Sequence, residues 1–115
     1  MIEYSNEMKP DWSKSNGLLP CVVQDYDSAR VLMLGFVNAD SIEQSLKIGK
    51  LCFFSRSRQK LWIKGETSGN FLILKRLFID CDNDTFLAQV HAIGPTCHRN
   101  TISCFDTTEE TIPAG

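Results

Sequence analysis

No uninterrupted apolar stretch in this chain approaches the ~20 residues that a membrane span needs. Its opening residues, MIEYSNEMKPDWSKSNG, lack the basic-then-apolar layout of a secretory signal, so a cytoplasmic location is the default expectation. Strong charge of one sign is missing as well. Twelve Lys and Arg against fourteen Asp and Glu leave a net charge of −2, which exerts no global pull on nucleic acid or an anionic membrane. Neither is expected as a partner, and any anionic ligand has to be held by a local basic cluster. Repeats and low-complexity segments are absent. So is the C-x-x-C pair, which argues against a zinc ribbon or finger.

What is present describes one ordinary globular domain: 115 residues, 43% hydrophobic and 23% charged. A domain of this length buries roughly two-thirds of its unfolded surface and needs no disulfide staples. Five cysteines, an odd number, cannot all pair within one chain. In a reducing compartment they point to metal binding or catalysis before a disulfide framework.

The pattern along the chain is mainly β. Residues 1–16 read as a loose polar lead-in. LPCVVQDY (19–26) and RVLMLGFV (30–37) read as a hairpin across Asp27-Ser28-Ala29. NADSIEQSLKIGK (38–50) is the one helix, capped by Asn38 or Asp40, inward-facing at Ile42 and Leu46, and ended by Gly49. LCFFSRS (51–57) and KLWIKG (60–65) resume strand character, ETSGN (66–70) is a loop, and FLILKRLFIDC (71–81) with TFLAQVHAI (85–93) makes a second hairpin. Residues 94–105 open as a loop that can close with a short strand, and the polar tail over 106–115 is expected to be mobile. The fold class is α+β, mainly β: a small twisted sheet or pseudo-barrel of hairpins with one capping helix.

Three clusters carry chemistry. IDCDND (79–84) places Asp80, Asp82 and Asp84 at a spacing of two, so an extended backbone sets them on one face and Cys81 on the other. Hard carboxylate oxygens at this density suit Mg²⁺ or Ca²⁺; a solvated hairpin turn is the plain alternative. An EF-hand fails, since its sixth and twelfth positions fall on Thr85 and His91 in place of Gly and Glu. The second cluster is Cys81, Cys97 and Cys104. Three thiolates and a water match an open zinc site, while buried free thiols explain the same residues without metal. Cys21 and Cys52 lie in apolar strands and read as core. The third is SRSRQKLWIKGETSGN (55–70). Arg56, Arg58, Lys60 and Lys64 alternate in position, and small donors such as Ser57 and Ser68 accompany them. This suits phosphate, against a solvated basic edge strand.

With these residues in view, the chain resembles the phosphoribosyl-AMP cyclohydrolases of histidine biosynthesis. The resemblance runs through NGLLP (16–20), VLMLGFVN (31–38), FFSRSRQKLWIKGETSGN (53–70), DCDND (80–84) and GPTCH…SCF (94–105). It implies Zn²⁺ on Cys81, Cys97 and Cys104, and Mg²⁺ on Asp80, Asp82 and Asp84. It further implies a homodimer that shares the zinc site between subunits, and a small nucleotide substrate contacted by Arg56, Ser57, Arg58, Lys60, Trp62, Lys64, Glu66 and Ser68. Residues 1–115 are then a single cyclohydrolase domain. Many relatives continue into a pyrophosphohydrolase domain, so the chain is either a stand-alone enzyme or the first part of a longer one. One departure is Asn100, where the family usually has Gly; Asn is the next most tolerant of a left-handed backbone.

The reaction so implied is hydrolysis of the N1–C6 bond of the adenine ring, by zinc-activated water with magnesium-assisted substrate binding. His98, beside Cys97, is the candidate for proton transfer, because imidazole titrates nearest neutral pH. A magnesium-dependent nucleotide phosphohydrolase and a zinc-stabilised binding module are the rivals.

Overall fold

The computed structural model describes residues 2–106. Strand β1 (Leu19–Asp25) turns back into β2 (Val31–Val37). The turn closes because the Asp25 carboxylate accepts from the Ser28 N–H at 2.8 Å and Ala29 adopts a left-handed φ of 64°. Helix α1 (Ala39–Ile48) follows. Asn38 caps it by accepting from the Ser41 N–H at 2.8 Å, Ser41 Oγ accepts in return from the Asn38 N–H, and Gly49 ends it at φ 78°. Next come β3 (Cys52–Ser55), β4 (Lys60–Ile63), β5 (Leu72–Ile79) and β6 (Phe86–Ala92). No helix among the described residues is long and apolar enough to cross a membrane.

The long strands form an open sheet in the order β2-β1-β6-β5, and β3-β4 form a separate two-stranded sheet. Of the expected sheet or pseudo-barrel, the chain builds the sheet. Its central pair, β1 and β6, is parallel, with Cys21 opposite Phe86 and Asp25 opposite Val90. A parallel neighbour requires a crossover, and α1 with β3-β4 lies within that connection.

Period-two alternation sends Leu19, Cys21 and Val23 of β1, with Phe86, Ala88 and Val90 of β6, into a core where all six are fully buried. α1 contributes Ile42 and β3 contributes Phe53. Phe53 lies so close to β2 that a Cβ on Gly35 would sit 2.6 Å from its ring, which is why that position has no side chain. On the other face, the register aligns Leu34, Val22, Leu87 and Phe78 in one apolar row across all four strands. Leu34 is 47% and Phe78 45% exposed.

Four local expectations differ from the structure. The lead-in, read as loose, is bonded to the sheet: Glu3 N–H donates to Lys75 O at 2.9 Å, and Leu77 N–H donates to Glu3 O at 3.0 Å. Edge strand β5 has free backbone groups there, and they recruit the N-terminal segment. Residues 94–105 form successive turns with no closing strand: their backbone bonds are mostly local, as in Asn100 N–H to Cys97 O at 2.9 Å, and the single bond to a strand, Cys104 N–H to Leu32 O at 2.7 Å, does not extend into a ladder. Strand β5 stops at Ile79, so Asp80 and Cys81 lie in the turn. Asp106, the first residue of the polar tail, is held by the Ser103 N–H and by an ion pair with Arg30. The rest of that tail lies outside the described residues.

Candidate metal centres and nucleotide cleft

The acidic trio converges, though not by the pleat of a strand. Asp80 closes the bend with its own side chain: its Oδ1 accepts from the N–H groups of Asp84 at 3.1 Å and Thr85 at 3.3 Å, and its carbonyl accepts from Asn83 at 3.0 Å. Asn83 takes the left-handed φ of 59° that the bend requires. Carboxylate oxygens of Asp80, Asp82 and Asp84 thereby lie within 4.8 Å of one another. This donor set fits a hard divalent cation, which takes oxygen ligands at 2.0–2.6 Å and relieves their mutual repulsion.

A residue that spacing could not suggest enters here. Lys14 Nζ lies 3.0 Å from Asp84 Oδ2 and 3.4 Å from the Asp82 carbonyl oxygen. The ammonium's hydrogen bond holds the Asp84 carboxyl below its usual range, and Asp84 in turn raises the Lys14 ammonium. Nothing in the sequence links positions 70 residues apart.

The thiols divide. Cys97, 6% exposed, and Cys104, half-buried, meet in the turns after β6. The Arg99 backbone N–H, then the Arg99 and Thr101 side chains and the Cys104 thiol, hydrogen bond to Cys97 and lower its pKa to about 6. Burial, then the negative charge of Cys97, pushes Cys104 up, while Lys64 and Arg99 oppose that. The pair is therefore one thiolate and one thiol near neutral pH. His98 is exposed, with Nδ1 4.0 Å from Cys97 Sγ. Asn100 adopts φ 64°, so the residue standing in place of glycine takes the left-handed turn.

Cys81 is exposed and stands apart from that pair. Among the described residues, the acidic trio is the one group of three or more His, Cys, Asp or Glu side chains gathered within 4.8 Å. The register explains the separation. Cys81 follows the end of edge strand β5, whereas the Cys104 N–H donates at 2.7 Å to Leu32 O near the start of the opposite edge strand β2. Three strand spacings of about 4.8 Å lie between those edges, yet two sulfurs on one zinc stand only about 4 Å apart. Cys21 and Cys52 are buried core residues, and burial pushes the Cys21 thiol up to about 12.

The basic stretch is not one strand face. Arg56, Ser57 and Arg58 occupy the β3–β4 turn, where Gln59 adopts φ 53°, and Lys60 opens β4. The turn is held by Arg58 N–H to Ser55 Oγ at 3.3 Å and by Gln59 Nε2 to Arg56 O at 2.7 Å. Arg56 lies 4.1 Å over the Phe36 ring, and Trp62 packs on Phe53 with ring centres 5.2 Å apart. Of these, Arg56, Ser57, Phe36, Phe53 and Trp62 line an open cleft of about 640 Å³ between β2 and the hairpin, and Arg58 lies outside it. Lys64, Glu66 and Ser68 lie at the other end of the hairpin, in the loop after β4. That loop packs on the turn after β6 through glycine: a Cβ on Gly94 would sit 2.5 Å from the Asn70 side chain. Lys64 is near enough to Cys104 for its charge to act on that thiol, and it stands at the end of the hairpin opposite Arg56 and Arg58.

A small α+β domain with a carboxylate cradle, a thiol–thiolate pair and a cleft of arginine and aromatic rings suits an enzyme acting on a phosphorylated, aromatic small molecule. The chain belongs to the phosphoribosyl-AMP cyclohydrolase family, whose model matches residues 33–106. It is 49% identical over 108 residues to the histidine biosynthesis bifunctional protein HisIE of Shigella flexneri, covering 94% of this chain and 53% of that protein. The HisIE protein of Vibrio cholerae is 51% identical over 96 residues, 84% of this chain and 46% of its own. That of Campylobacter jejuni is 54% identical over 95 residues, 83% and 46%. The chain spans about half the length of the curated relatives it matches.

Proposed function

We propose that the chain hydrolyses the N1–C6 bond of the adenine ring of phosphoribosyl-AMP, as a step of histidine biosynthesis. Water adds its oxygen to C6, the N1–C6 bond breaks, and N1 gains a proton. The observation that carries this reading is the meeting of Cys97 and Cys104 beside His98 in the turns after β6, in a chain of this family.

Zinc suits the thiolates of Cys81, Cys97 and Cys104, and when bound it supplies a Lewis acid that makes water a better nucleophile. Asp80, Asp82 and Asp84 suit magnesium. Arg56, Ser57, Arg58 and Lys60 bind phosphate at the turn of the β3–β4 hairpin, with Trp62 alongside. Lys64, Glu66 and Ser68 contact the substrate from the loop nearer Cys104. His98 moves the proton between solvent and the reacting ring through an imidazole nitrogen.

The zinc site is completed by a second copy. Cys81 stands at one corner of the sheet and the Cys97–Cys104 pair at the diagonally opposite one. A two-fold axis lying in the interface, perpendicular to that diagonal, lays each corner of one copy on the other corner of its partner. The row Leu34, Val22, Leu87 and Phe78, exposed at its ends and half-buried between them, is the apolar surface such a partner would cover. The five unpaired cysteines accord with work in a reducing cytoplasm.

The test is incubation of the purified protein with phosphoribosyl-AMP, followed by ultraviolet absorbance and product analysis. Ring opening changes the spectrum. Phosphate release without a spectral change would overturn the reading, and so would an unaltered substrate.

A further inference from the structure

We infer that Lys14 is a tethered counter-ion of the acidic turn, bound to Asp84 until a divalent cation displaces it. This rests on the reading of Asp80, Asp82 and Asp84 as magnesium ligands. Lys14 is then a positioning residue that sets how tightly the turn takes a cation.

The lysine is delivered to the turn by structure. The Asp11 N–H donates to Asn83 O at 2.7 Å, tying the segment to the acidic turn itself. Trp12 stacks on Phe86, the first residue of β6, at 5.7 Å with the rings 30° apart. Between these anchors and β1 the backbone takes three successive left-handed residues: Ser15 at φ 50°, Asn16 at 56° and Gly17 at 83°. Two of them are not glycine, and that conformation is unfavourable for an L-residue. The bend reverses the chain within a few residues, so it can touch the acidic turn and still enter β1 at Leu19.

The ammonium occupies an oxygen-rich position, with Asp84 Oδ2 and the Asp82 carbonyl both within 3.4 Å. A carboxylate oxygen engaged at 3.0 Å by an ammonium cannot also present that electron pair to a metal. Binding a divalent ion therefore breaks the Lys14–Asp84 pair, and the competition weakens uptake. The ammonium keeps the three carboxylates from repelling one another while the turn is unloaded. Once released, it remains on its short tether beside the ion.

Magnesium is the probe, because a hard cation does not compete for the thiols. The whole protein, dialysed free of Mg²⁺, is titrated calorimetrically alongside Lys14→Met, Lys14→Arg and Asp82→Asn. Lys14→Met should bind Mg²⁺ roughly three- to tenfold more tightly, since it loses both the competing pair and a like charge. Lys14→Arg keeps the cation and should stay near the parent. Unchanged or weaker Mg²⁺ binding in Lys14→Met would overturn the proposal. Tightening in Lys14→Arg equal to that in Lys14→Met would overturn it too, since charge would then not be the cause. If the parent shows no saturable Mg²⁺ uptake that Asp82→Asn removes, the metal reading of the turn fails, and the role of Lys14 fails with it.

Discussion

Cys81 and Cys104 stand at diagonally opposite corners of one four-stranded sheet, the first beyond β5 and the second bonded to Leu32 of β2. Within one chain they cannot bind the same ion. If zinc is shared across the proposed dimer, Cys81→Ser and Cys104→Ser proteins should each be inactive alone and should rescue each other when unfolded together and refolded with zinc. Random pairing of a two-site dimer predicts recovery of about a quarter of the parent activity. Zero recovery from confirmed heterodimers would place the site within one subunit.

Asp80 and Asp82 are expected to separate folding from ligation. Asp80 Oδ1 holds two backbone N–H groups of the turn, so Asp80→Ala should cost about 1 kcal/mol of stability. The Asp82 side chain accepts no hydrogen bond among the described residues, and Asp82→Asn should change stability by less than about 0.5 kcal/mol. It should nonetheless raise the Mg²⁺ concentration needed for activity. Denaturant melts and a magnesium titration of the rate check both halves; equal stability losses would contradict the assignment of roles.

Cys97 should react as a thiolate well below ordinary thiols. In metal-stripped protein its alkylation rate should be half-maximal near its pKa of about 6. The sign for stability follows from linkage. A folded pKa depressed below 9.0 contributes stability that is fully present above 9.0 and is lost as pH falls through about 6. Cys104, raised by burial and by Cys97, contributes in the opposite sense, losing stability as pH rises above 9.0. Alkylation of Cys97 only at alkaline pH would refute the thiolate.

Gly35 lies under the Phe53 ring. Gly35→Ala should destabilise the protein by about 1–3 kcal/mol, because the added methyl must push the ring or β2 aside. Phe53 carries Trp62, so the same change should disturb the cleft and weaken substrate binding. A thermal melt and a KM measurement test these together; an unchanged melting temperature would mean that the ring moves freely.

Truncating Arg58 to Ala should raise KM with little change in kcat, and added salt should weaken binding in the parent protein. Loss of kcat without a change in KM would assign Arg58 to chemistry instead of phosphate binding.

Much of this chain is legible from local pattern. Helix α1 was readable from Asn38, Ile42, Leu46 and Gly49, because a cap, a 3.6-residue period and a left-handed stop act within a few residues of one another. The strands and both long hairpins follow from period-two alternation between turn residues. The acidic trio and the left-handed tolerance of Asn100 were likewise visible, since side-chain type and backbone preference are local properties.

What only the tertiary structure decided is which distant segments become neighbours. Parallel pairing of β1 with β6 has no local signature, yet it orders the sheet and sends Cys81 to the corner opposite Cys104. The acids converge through a turn that Asp80 closes on itself, a geometry that spacing alone mistook for a strand. Lys14 reaches Asp84 across 70 positions because Trp12 finds Phe86 and the backbone bends at Ser15 and Asn16. Sequence determines propensities that act over a few residues. Long-range contacts arise where those elements can bury the most apolar surface together, and that is a property of the whole fold.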